Sequence, residues 1–166
     1  TTAAAELIAR LPQRPKRSIR VIMWANEEQG LVGARAYAEA HKNELSKIIT
    51  GAESDFGAGP IWRIDSRVKP EALNVAKKIA EIMEPLGIKY GNNRAGGGPD
   101  LIPLRQLGIS VFSLRQDGTD YFDYHHTPDD TLDKINKEDL DQNTAAYVVL
   151  AYLAAQMNGD FGQRLE

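Results

Sequence analysis

Three stretches of this 166-residue sequence place side chains that could bind a metal or move a proton in segments that follow short apolar runs. Glu27 and Glu28 follow the run Ile19, Val21, Ile22, Met23 and Trp24. Adjacent carboxylates repel each other, so both stay ionised comfortably only in water or beside cations. Taken alone, the pair reads as a solvated helix start, where the helix dipole favours glutamate. Asp55 ends the acidic triplet Glu53-Ser54-Asp55 after a second run, and on its own would open a glycine-containing turn. His126 begins His126-Thr127-Pro128-Asp129-Asp130-Thr131 beyond a third run, and a lone loop histidine is ordinarily polar surface.

Taken jointly, the three places read differently. One histidine and separate carboxylates at the ends of different strands make a mixed nitrogen and oxygen ligand set that suits zinc, with bonds of about 2.0–2.2 Å. Other chemistries lack their parts. The sequence has no Gly-x-Ser-x-Gly elbow, no cysteine nucleophile and no glycine-rich phosphate loop ending in Gly-Lys-Ser/Thr.

Positioning such groups requires strands whose carboxyl ends lie together, because open α/β sheets bind ligands in the crevice beyond those ends. Ile19 to Trp24 has the composition of a central strand buried on both faces. Lys47 to Ala52 reads as a second strand, and Ile109 to Leu114, after Gly108, as a third. Between them lie helical patterns. Thr1 to Leu11, stopped by Pro12 and Pro15, reads as the end of a helix with no start signal, and Leu31 to Lys42 has helical composition. Pro70 opens the clearest helix, where Ala72, Ala76, Ile79, Met83 and Leu86 recur at spacings of four and three before Gly87 closes it. Gly96-Gly97-Gly98-Pro99-Asp100 reads as a flexible turn into a short helix through Leu107. Glu138 to Met157 is an amphipathic helix whose stripe of Leu140, Thr144, Tyr147, Val148, Ala151 and Tyr152 should cover one face of the sheet. Alternating strands and helices predict an α/β fold, and no repeat or linker divides residues 1–166 into more than one domain.

Composition narrows the partners. A net charge of −3, with Lys and Arg scattered among Asp and Glu, argues against nucleic acid. No apolar run approaches the roughly 20 residues that span a bilayer, so no membrane partner is expected. Cysteine is absent, which removes disulfides and thiolate zinc sites and leaves the compartment open. His41, late in the helix after Gly30, reads as surface.

The blocks Arg14-Pro15-Lys16-Arg17, Trp24-Ala25-Asn26-Glu27-Glu28-Gln29-Gly30, Glu53-Ser54-Asp55 and Tyr124-His125-His126-Thr127 with Asp130-Thr131 resemble metallopeptidase family 28, within it the plasma glutamate carboxypeptidase branch. The blocks are ordered along nearly the whole chain. The resemblance implies a three-layer sandwich around a central mixed, mostly parallel sheet, as in zinc exopeptidases. It makes Glu27 the general base, Glu28 a ligand of one zinc, Asp55 a ligand of the other, and His126 the histidine ligand with His125 as its supporting neighbour. Asp100 matches an acidic position after the glycine loop that shapes the pocket or supports a ligand. Tyr121 and Tyr124, near His126 in sequence, could donate to a developing oxyanion, though surface or core packing is the more usual role for either aromatic.

The resemblance further implies two zinc ions, short peptides as substrates, and hydrolysis by a dizinc-activated water. The family's sites also need a His and a bridging Asp upstream of the helix at Thr1. Neither is in this sequence, so the expectation is an N-terminally incomplete chain that is inactive as an isolated fragment. Two alternatives stay beside this reading: a metal-free peptidase-like interaction domain, and a glutaminyl cyclase-like acyl transferase using one zinc, against which the doubled glutamate argues. Amino- and carboxy-terminal specificity are both open, as is oligomeric state, with a homodimer among the options. The family favours a secreted, periplasmic or lysosomal parent protein.

Overall fold

Four strands, β1 (Gly51–Ala52), β2 (Ile61–Arg67), β3 (Lys89–Tyr90) and β4 (Val111–Gln116), form one sheet in the order β1-β4-β2-β3 in a computed structural model that describes residues 1–162. β1 runs parallel to β4, with Gly51 opposite Val111 and Ala52 opposite Phe112, and β2 runs parallel to β3. The β2–β4 pairing is antiparallel, which makes the sheet mixed. Helices α1 (Thr2–Ala9), α2 (Val32–Ala40), α3 (Leu73–Met83), α4 (Ile102–Gln106), α5 (Tyr121–Tyr124) and α6 (Lys137–Gln156) surround it. The expected α/β architecture is the one observed.

Side-chain alternation along β4 separates the two layers of packing. Phe112 and Leu114 join Ile61 and Ile64 in a core with Ala76, Ile79 and Met83 of α3 and Ala146, Tyr147 and Leu150 of α6. Val111 faces the other way, into a cluster with Ala38 of α2, Leu101, and Leu104 of α4. The stripe on α3 is buried as its spacing predicts, and Gly87 ends that segment with φ 80°. No helix among the described residues is long and apolar enough to cross a membrane.

Three expectations are corrected, and one strand was not expected at all. Ile19–Trp24 has no regular secondary structure and belongs to no strand ladder among the described residues. A ladder needs a neighbour about 4.8 Å away, and this segment instead lines a cavity of about 860 Å³ whose other walls include α1 and Ile48–Ala52. Arg17 anchors its start by donating to the carbonyls of Met157 at 2.5 Å and Gly159 at 2.6 Å. The second strand is shorter than Lys47–Ala52, because Leu45–Lys47 makes a turn of 3₁₀ helix and only Gly51–Ala52 pairs. The longest strand, β2, is one that apolar runs do not reveal: Asp65 and Ser66 are buried within it and satisfied by polar partners. Finally, α6 buries Asn143, Ala146, Tyr147, Leu150, Ala154 and Ala155, leaving Leu140 47% exposed. Small alanines let this face approach the sheet, and its Gln142 donates to the Ile61 and Leu86 carbonyls at 2.6 and 3.0 Å.

Candidate active site

The turn that carries Glu27 and Glu28 is closed by its own backbone. Gly30 and Leu31 N–H donate to the Glu27 carbonyl at 3.0 and 2.9 Å, Val32 N–H to Asn26 at 3.2 Å, and Gly33 N–H to Ala25 at 3.0 Å. The closure is tight enough that a Cβ on Gly33 would lie 2.6 Å from the Ala25 carbonyl oxygen. Asn26 (φ 58°) and Leu31 (φ 60°) bracket the two glutamates in the left-handed region. The third non-glycine residue with positive φ among the described residues is His126 (φ 59°). Such conformations cost of order 1–3 kcal/mol each, persist only where surrounding structure over-determines them, and cluster at functional sites.

His126 and Glu28, 98 positions apart, meet: Nε2 and Oε1 lie 2.7 Å apart, with both side chains more than half exposed. The loop that presents His126 is pinned by Thr127, whose N–H and hydroxyl donate to the Tyr124 carbonyl at 2.9 and 2.7 Å. The one-turn helix α5 sets His125 above Tyr121. His125 N–H donates to the Tyr121 carbonyl at 2.8 Å, and the two rings stack with centroids 4.6 Å apart. His125 also lies against His126, with centroids 3.7 Å apart.

Asp55 stands at the same end of the sheet, beyond β1. Desolvation raises its carboxyl above the ordinary value, the nearby Glu28 charge adds to the rise, and His125 opposes it. Asp100 is 4% exposed, and its Oδ1 has no hydrogen-bond partner among the described residues. Burial raises its carboxyl, with the charges of Glu27 and Asp55 contributing. The structure therefore gathers Glu27, Glu28, Asp55, Asp100, His125 and His126 into one neighbourhood. Tyr124 turns its ring toward Lys134, whose Nζ lies 6.0 Å from the ring centroid. Tyr121 is the tyrosine that faces the cluster, stacked on Phe56 with centroids 4.3 Å apart and sensing the charges of Asp55 and Glu28. His41 lies apart, 3.1 Å from Glu44 on the surface of α2.

Two participants escaped the reading of residue types. Phe56 gave no signal beyond standing next to Asp55. Glu53 stood in the acidic triplet, but its partner is the glycine loop. Its carboxylate accepts the backbone N–H groups of Asp100 and, at 3.1 Å, of Leu101. Gly97 and Gly98 have φ 94° and 123°, and a Cβ on Gly98 would lie 2.4 Å from Glu53 Oε2. The loop is thus a close backbone approach and not merely a flexible turn. Burial pushes the Glu53 carboxyl up to about 7, the Asp100 and Asp55 charges adding to the rise while the two N–H donors oppose it.

This donor set fits a divalent cation in kind. Imidazole and carboxylate oxygen are zinc's ordinary ligands outside thiolate sites, and a cation would offset the burial and the neighbouring negative charges that raise Asp55 and Asp100. Among the described residues, however, no three His, Asp or Glu groups converge closely enough to hold an ion by themselves.

Comparison with known proteins identifies the family and the fold. The family description for peptidase family M28 matches residues 1–151. Carboxypeptidase Q of Mus musculus is 33% identical over 156 residues, covering 93% of this chain and 33% of that protein. Aminopeptidase YwaD of Bacillus subtilis (strain 168) is 28% identical over 137 residues, 76% of this chain and 30% of that protein. The crystal structure of a peptidase M28 precursor from Shewanella amazonensis SB2B superposes with a TM-score of 0.94 at 54% identity, over 96% of this chain and 36% of that one. The chain spans about a third of the length of the curated relatives it matches. A match along nearly all of its residues, together with the shared fold, shows that the chain belongs to peptidase family M28.

Proposed function

We propose that this chain carries part of the active centre of a zinc-dependent exopeptidase acting on short peptides, with Glu27 as general base. The observation that supports this best is the 2.7 Å contact between His126 and Glu28, which brings a nitrogen and an oxygen donor together beside Asp55 and Glu27. Glu28 and His126 would hold one zinc and Asp55 the other, with donors from outside these 166 residues completing both. When bound, zinc supplies Lewis acidity, acidifying the attacking water and polarising the scissile carbonyl.

The chain's own residues account for the proton movements. Glu27 accepts a proton from the water as its oxygen attacks the carbonyl carbon, then delivers that proton to the amine as the C–N bond breaks. The closed turn from Ala25 to Gly33 holds Glu27 in place for both transfers. Asp100, on the glycine loop, lies close enough for the Glu27 charge to add to the burial that raises its own carboxyl. Tyr121, stacked on His125 and Phe56, would be the tyrosine that donates to the oxyanion. As for setting, the reading fits a secreted, periplasmic or lysosomal parent protein.

The test uses the full-length enzyme with zinc bound. Dipeptide hydrolysis should disappear with chelation and return with zinc, and Glu27→Gln should keep both ions while hydrolysis falls at least about 10²-fold. A Glu27→Gln enzyme that hydrolyses normally removes Glu27 from its role. The lack of a three-donor group among the described residues favours one second reading, a metal-free peptidase-like interaction domain. Calorimetric titration separates the two: full-length protein that binds no zinc would establish the second.

A further inference from the structure

Glu53 is the one carboxylate of the cluster left without a part in the proposed reaction. It follows β1, two positions before Asp55, and it is held at three points. The Tyr147 hydroxyl of α6 donates to its carbonyl at 2.6 Å. The N–H groups of Asp100 and Leu101 donate to its side chain, the latter at 3.1 Å and 48 positions away in sequence. Gly98 packs directly on the carboxylate, leaving no room for a Cβ. Glu53 thus ties the glycine loop, through its side chain, to the strand end that carries Asp55 and, through its backbone carbonyl, to the long helix behind it.

That tie bears on Asp100. Its carboxylate is 4% exposed with Oδ1 unpartnered, and it lies close enough to Glu27 and Asp55 for their charges to act on it. An unpartnered buried acceptor is unfavourable and turns away or finds a donor unless the backbone beneath it is fixed. Here the fixed point is the pair of N–H groups at Asp100 and Leu101, and Glu53 is what fixes them. We propose that Glu53 is a positioning residue: its carboxylate clamps the Gly98–Leu101 backbone so that Asp100 keeps its place in the wall of the cavity it shares with Glu27, and it sets turnover without touching metal or substrate. This rests on Glu27 being the general base.

In the zinc-loaded full-length enzyme, Glu53→Ala should lower kcat about 10-fold or more, as expected for a displaced catalytic arrangement. KM and zinc content should stay as in the parent, and amide exchange at Asp100 and Leu101 should speed up. Glu53→Gln keeps a side-chain oxygen for both N–H groups and should restore kcat to within about 3-fold, which a requirement for charge alone would not allow. Glu53→Ala combined with Asp100→Asn should be no slower than the slower single variant, because both act through one group. Unchanged kcat in Glu53→Ala, loss of zinc, equal damage from Ala and Gln, or additive losses in the double variant would each overturn the proposal. If Glu27→Gln proves fully active, the base assignment fails separately. Amide exchange then decides the clamp: faster exchange in Glu53→Ala sustains it, and unchanged exchange overturns it.

Discussion

His126 Nε2 lies 2.7 Å from Glu28 Oε1, joining a loop after β4 to the turn before α2. Neither side chain is buried, so the contact adds little to stability; exposed ion pairs contribute roughly 0–1 kcal/mol. Yet His126 itself sits at φ 59°, and Asn26 at φ 58° and Leu31 at φ 60° bracket the turn that carries Glu28. Strain retained around a weak contact points to a role other than folding. If the pair shares a zinc, His126→Ala in the full-length enzyme should weaken zinc affinity at least about 10²-fold while leaving the urea midpoint of the metal-free protein nearly unchanged. Chelator competition measures the first and denaturation the second. Unaltered zinc affinity would remove His126 from the metal.

Glu53 gives the metal-free protein a pH dependence with a definite sign. Its carboxyl rises from an ordinary 4.5 to about 7 through burial, so between those values the folded state keeps a proton that the unfolded chain has released. Its stabilising contribution is therefore complete below about pH 4.5 and is lost as pH rises through 7. Asp55 and Asp100, also raised by desolvation, act in the same direction. Carboxylates held low by partners, such as Asp133 beside Lys134 and Asp160 beside Lys69, add no slope above pH 5, because both their states are already ionised there. The urea midpoint of the metal-free protein should fall between pH 5 and pH 8, and Glu53→Gln, which cannot ionise, should flatten that fall. An equal slope in the variant would contradict the assignment.

The parts of this fold that were legible were those where a residue's type and its environment agree. The α3 stripe repeats at helical spacing and is buried at Ala76, Ile79 and Met83, and the acidic and histidine residues after apolar runs do gather at one end of the sheet. β2 was hidden because its inward positions include Asp65 and Ser66, whose burial depends on partners far away in sequence. Ile19–Trp24 misled for the opposite reason: an apolar run reports a preference for burial, while ladder pairing needs a backbone neighbour that the run cannot specify. Glu53 looked like any glutamate after a strand, since its meaning lies in Gly98 and Leu101.

Asp65 tests how β2 tolerates its charges. The carboxylate is 1% exposed, accepts from Arg63 at 3.0 Å and Arg115 at 3.2 Å through Oδ2, and from Asn92 N–H at 3.0 Å through Oδ1. Asp65→Ala strands the Asn92 amide and leaves two guanidiniums without their anion. Removing one partner of a buried pair costs about 3–5 kcal/mol. The lower end applies here, because the Arg63 and Arg115 side chains are 32% and 48% exposed and can turn to water. Urea denaturation of the metal-free protein should show a loss of about 3 kcal/mol, with zinc binding by the remaining full-length enzyme unaffected. A loss under about 1 kcal/mol would mean that the arginines, not the carboxylate, hold this corner.

Gly98→Ala separates the geometry of the glycine loop from its chemistry. The variant adds no charge and removes no donor. Its methyl group would arrive 2.4 Å from Glu53 Oε2 and 2.7 Å from Glu53 Cβ, at a backbone position with φ 123° that L-residues rarely adopt. Relief requires Glu53 to move, since its own backbone is tethered through the Tyr147 hydroxyl and the loop is tethered through Leu101. Alanine at a positive-φ glycine destabilises by more than the roughly 0.4–1 kcal/mol that a compatible substitution gains, so a loss above about 1 kcal/mol is expected. The same movement should raise amide exchange at Leu101, whose N–H loses its acceptor, while exchange in α3, on the far side of the sheet, stays as it was. Gly96→Ala is the control: at Gly96 a Cβ meets nothing within 4 Å, so that variant should leave both stability and Leu101 exchange unchanged. Equal effects from the two substitutions would show that loop flexibility, and not the contact with Glu53, is what these glycines provide.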